Sequence, residues 1–76
     1  MSADELKRLL QARPFKSFKV FLPSDRAFEV PHPEFAWLTP NGRTLVVGEA
    51  TSDGFDILDV PLIVRVQVSP APGKEG

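Results

Sequence analysis

The stretch FKSFKVFLPSDRAFEV, residues Phe15 to Val30, reads as a β-hairpin, and the rest of the chain is organised around it. Phe18, Val20 and Leu22 fall on one face by the period-2 rule, and Phe28 and Val30 continue the pattern on the return strand. Pro23-Ser24-Asp25-Arg26 lies between them as the turn. Proline presets φ there, and the Ser and Asp side chains bond locally to the backbone.

Upstream, Ser2 followed by Glu5 is a capping-box pattern, and Leu6, Leu9 and Leu10 make one apolar stripe at helical spacing. A short helix is predicted, ended by Pro14, which disfavours helical geometry at Arg13. So short a helix is not stable alone, so its leucines must dock on the sheet. Downstream, Pro31-His32-Pro33-Glu34-Phe35 stops the second strand in a bend or a single helical turn. Ala36 to Thr39 and Arg43 to Val47 read as a hairpin about Pro40-Asn41-Gly42, where Asn-Gly signals a type I′ turn. Gly48 to Gly54 is a loop, Phe55 to Val60 a further strand, Pro61 a brief break, and Leu62 to Val68 the most regular alternation in the chain. One globular domain over residues 1–68 and a disordered tail over 69–76 are expected.

These elements predict an α+β, mainly β fold: a short N-terminal helix followed by a five-stranded antiparallel SH3-like or Sm-like small barrel. Closure hides one apolar face and removes exposed edges. An open antiparallel sheet with the helix on one face is the alternative. At 76 residues the chain buries only about 60 % of its unfolded surface, so its six Phe and one Trp weigh heavily.

Charge and composition bound the function. The net charge is −1, but residues 1–26 carry +3 and the remainder −4, a dipolar layout suited to pairing with copies of itself or offering a basic end to an acidic partner. There is no Cys and only one His, which removes the usual zinc ligand sets and fits a reducing compartment. The acidic start Asp4-Glu5 and the lack of a long apolar run point to a cytoplasmic protein without a membrane span.

The helix with Ala12-Arg13-Pro14-Phe15, Phe18 and Pro31-His32-Pro33-Glu34-Phe35 resembles a group of small uncharacterised bacterial proteins over nearly the whole chain, which implies a fold and no activity. In the order of helix, strands and a short corner before the last strand, the chain is also similar to the Sm-like RNA-binding proteins, including the bacterial RNA chaperone of that fold. That resemblance implies a ring joined through the last two strands and binding single-stranded RNA. At the corner that carries a basic, histidine-containing motif in the chaperone, this chain has Asp59-Val60-Pro61-Leu62, with nothing to stack a base or pair with a phosphate.

No motif carries specific chemistry. His32 is of the residue type most used in acid-base catalysis but has no nucleophile partner, and held between prolines it reads as a residue that orders the bend. Asp53, Asp56 and Asp59, with Glu49, do not match a calcium loop, and strand alternation sends Asp56 and Asp59 to opposite faces. Lys16, Lys19 and Arg26, with Phe21, are the one basic and aromatic grouping suited to nucleic acid.

The reading is therefore a non-enzymatic interaction module without a cofactor, a metal or an evident small-molecule substrate. It self-associates through the last strand, at Val64 and Val66, or binds a protein through the hairpin and the bend, at His32, Phe35 and Trp37. RNA binding through Lys16, Lys19 and Arg26 is the alternative.

Overall fold

The computed structural model describes residues 2–49 and 51–70. Helix α1 spans Ala3–Gln11 and opens with the expected capping box. The Glu5 N–H donates to Ser2 Oγ at 3.2 Å, and the Ser2 N–H donates to Glu5 Oε1 at 3.4 Å. Leu6 is its fully buried residue, with Leu9 and Leu10 partly buried against the same core.

Six strands follow: β1 Phe18–Leu22, β2 Arg26–Val30, β3 Ala36–Leu38, β4 Thr44–Gly48, β5 Phe55–Asp59 and β6 Arg65–Val68. They form two separate antiparallel sheets of three strands, sheet A in the order β2-β1-β6 and sheet B in the order β3-β4-β5. This corrects the five-stranded SH3-like or Sm-like barrel expected from the sequence. No strand ladder joins the two sheets among the described residues, so they do not close.

Proline explains the correction. The chain passes from sheet A to sheet B through Pro31–Phe35, where a 3₁₀ turn at Pro33–Phe35 ends the β2 ladder, and returns through a second 3₁₀ turn at Val60–Leu62. Each crossing contains proline, which lacks the donor a continuous ladder needs. Helix α1 fills the side that a barrel would close with hydrogen bonds. It packs on β3, where Lys7, Leu10 and Gln11 meet Ala36 and Leu38 across a groove. A second groove, lined by Glu5, Arg8, Leu9, Val66 and Val68, separates it from β6.

The core lies between the inner faces. Sheet A contributes Phe18, Val20 and Val30, sheet B contributes Leu45, Val47 and Leu58, and α1 adds Leu6. Val60 and Ile63 seal the crossing between β5 and β6. No polar or charged residue is buried among the described residues, so nonpolar burial dominates stability.

Two turns carry positive φ. The hairpin turn Pro23–Asp25 holds Ser24 at φ 70° and Asp25 at φ 63°. The β3–β4 turn is not the type I′ turn that Asn-Gly suggests, because among its residues only Gly42 has positive φ, at 74°. Pro40 fixes a negative φ at the first central position and moves Asn41 to the second. The Gly42 N–H donates to the Thr39 C=O at 2.8 Å, and Asn41 Oδ1 accepts from the Arg43 N–H at 3.0 Å.

The expected disordered tail falls, from residue 71 onward, outside the described residues. Ser69 within it is tied to the sheet, its N–H donating to the Ser17 C=O at 2.9 Å. No helix among the described residues is long and apolar enough to cross a membrane.

Candidate interaction face

The outer faces of the two sheets differ in chemistry. On sheet A, Lys19 lies between Glu29 on β2 and Gln67 on β6, and Phe21 lies between Ala27 and Arg65. The Arg65 guanidinium covers the Phe21 ring at 4.1 Å from its centroid, a cation–π contact. That face is polar, and its one aromatic ring is capped.

Sheet B presents the reverse. Strand alternation sends Leu45 and Val47 of β4 and Leu58 of β5 inward, so Trp37, Val46 and Ile57 turn outward. The ladder register sets these three directly opposite one another, in one row across the sheet. Trp37 is 57 % exposed and Ile57 67 %. Phe55, on the same face as Ile57 and opposite Gly48, is 62 % exposed. An apolar row of this kind on a small domain marks an interaction surface more often than an isolated exposed side chain does.

The residues singled out in the sequence are dispersed. Trp37 belongs to the apolar row. His32 and Phe35 stay on the bend, half-buried, with ring centroids 6.0 Å apart, and the His32 C=O accepts from the Phe35 N–H at 3.0 Å. Val64 is 65 % exposed, and its N–H donates to the Phe21 C=O at 2.8 Å. Val66 faces inward, opposite Val20 and packed against the core. Lys19 points out from sheet A with Glu29 opposite it, whereas Arg26 lies at the far end of the hairpin, its guanidinium 5.6 Å from the Phe28 ring centroid. Lys16 is exposed and precedes β1. The three cations are not gathered on one face. Of the acids, Asp53 sits in the β4–β5 loop, Asp56 shares the inward phase of Leu58, and Asp59 points outward opposite Thr44. Among the described residues no group of three or more His, Cys, Asp or Glu is placed to hold a metal ion.

Sequence reasoning missed Val46, Ile57 and Phe55. A signal was present: β4 and β5 carry apolar residues in both phases, Leu45 and Val47 with Val46, and Leu58 with Ile57. A small domain has one core, so one of the two apolar faces must meet water.

Comparison with protein-family models, with curated proteins and with solved structures finds no match.

Proposed function

We propose that this protein is a non-enzymatic interaction module that binds protein through the outer face of sheet B. The observation that carries the reading is the row Trp37–Val46–Ile57, flanked by Phe55, in which Trp37, Ile57 and Phe55 are exposed and Val46 is half-buried between them. Aromatic and aliphatic side chains held on a rigid sheet lose little conformational entropy on binding, which favours them as anchors. No cation belongs to the row, and Asp59, two residues from Ile57 on the same outer face of β5, repels phosphate. The fitting partner is therefore a protein surface with an apolar centre.

The test is retention of proteins from an extract of the source cells on the immobilised chain. A protein held by the wild type and lost with both Trp37→Ala and Ile57→Lys, yet kept with Lys19→Glu, supports the reading. Retention indifferent to both face substitutions sinks it. So does a chain that retains RNA instead, released by salt and lost with Lys19→Glu, as phosphate binding requires.

A further inference from the structure

Strand β5 is one of the two outer strands of sheet B, with no strand on its other side among the described residues. Two hydrogen bonds that flank its ladder with β4 show which backbone groups that edge leaves unpaired. The Glu49 N–H donates to the Gly54 C=O at 3.0 Å, and the Val60 N–H donates to the Arg43 C=O at 2.9 Å. Antiparallel ladders alternate, so Gly54, Asp56, Leu58 and Val60 bond toward β4, while Phe55, Ile57 and Asp59 turn their N–H and C=O groups outward. Phe55 and Ile57 thus present an exposed apolar side chain and a free donor-acceptor pair together.

We propose that a second copy of this chain pairs antiparallel with β5 about a two-fold axis through Ile57, joining two B sheets into one sheet of six strands. The proposal rests on the reading of sheet B as a protein-binding face, and supplies the missing half of that face. A two-fold axis normal to the sheet keeps the outer faces continuous and lets only residues of equal phase meet. One such register pairs the whole strand: Ile57 with Ile57 of the second copy, Phe55 with Asp59, and Asp56 with Leu58. It sets outward-facing backbone groups against each other, for about six hydrogen bonds, and places no acid opposite an acid. The next register in one direction sets Asp56 against Asp56. In the other it sets Phe55 against Pro61, which has no N–H to give.

Pairing also enlarges the face that a protein partner would cover. Trp37, Phe55 and Ile57 at their fractional exposures present roughly 350–400 Å² on one copy. A stable protein interface takes about 800 Å² from each partner. Pairing at β5 doubles the apolar face and extends the row from Trp37 to Trp37 over about 24 Å, five strand spacings. The β6 edge is less suited, because α1 runs beside it across the groove at Val66 and Val68.

The experiment is the solution mass by light scattering, from micromolar to millimolar chain, together with amide exchange read residue by residue. Expected is a rise to twice the 8.4 kDa chain mass. The Phe55, Ile57 and Asp59 amides gain protection as concentration rises, while Asp56 and Leu58 are protected throughout. Ile57→Pro removes an outward N–H without touching the β4 ladder, and Ile57→Lys places a charge on the axis. Each is expected to weaken association at least tenfold with an unchanged circular dichroism spectrum. A monomer at every concentration, a ring larger than two, or a dimer indifferent to whichever of the two variants folds overturns the pairing. A monomeric wild type that still loses its extract partner on Trp37→Ala overturns the pairing alone. A dimer whose extract partner ignores Trp37→Ala overturns the face reading alone.

Discussion

Ser24 and Gly42 both stand in the left-handed region, but only one of them is the residue type that region favours. Ser24 holds φ 70° at the tip of the β1–β2 hairpin, exposed to solvent. Replacing it with glycine removes the Cβ strain at no cost in packing. Ser24→Gly is expected to stabilise the fold by about 0.5–1 kcal/mol, seen as a rise in Tm of about 4–8 °C per kcal/mol. A fall in Tm would show that the tip is unstrained. Gly42 is the opposite case. Its φ is 74°, and a Cβ built there meets the Ala3 Cβ of α1 at 2.6 Å. Gly42→Ala must strain the turn and push the helix, and is expected to lose about 2–3 kcal/mol in a denaturant titration. Sequence located both turns but not their conformations. Asn41-Gly42 suggests a type I′ turn until Pro40, one residue earlier, is given its fixed φ.

At the scale of elements, the helix and the first hairpin were legible because their determinants are local: Ser2 and Glu5 cap one end, and Pro23 to Arg26 turn the other. The partition of strands between two sheets was not legible. Alternation gives each strand two phases, yet says nothing about which ladder it joins. Pro31, Pro33 and Pro61 mark the places where the ladder stops, not the sheet to which the chain goes next. Helix α1 resolves the matter by occupying the side between β3 and β6, with Leu6 wholly buried there. Leu6→Ala is therefore expected to cost about 2–5 kcal/mol. For 76 residues the whole stability is about 4–11 kcal/mol, so the variant gives up a large fraction of it. Leu9→Ala and Leu10→Ala, at partly buried positions, should cost visibly less. If all three cost the same, the helix does not plug the open side through Leu6.

At the scale of the whole molecule, two sheets and a helix share one core, within a radius of gyration of 11.5 Å. That value is close to the roughly 11 Å expected for a compact chain of this length. Neither sheet has a second apolar layer of its own to fold against, so both should unfold in one cooperative step. The candidate face was hidden from sequence for the same reason: the row Trp37–Val46–Ile57 exists only once three strands are in register. Trp37 gives this arrangement a built-in reporter, since it is the single Trp and 57 % exposed. In dilute solution its emission should lie close to that of indole in water and change little on thermal unfolding, while far-ultraviolet circular dichroism loses its β signal in one transition. When the face is covered, the same emission should shift to the blue with no change in circular dichroism. A blue-shifted emission in dilute, monomeric protein would mean that Trp37 is already packed, and the apolar row would then have no free end to offer a partner.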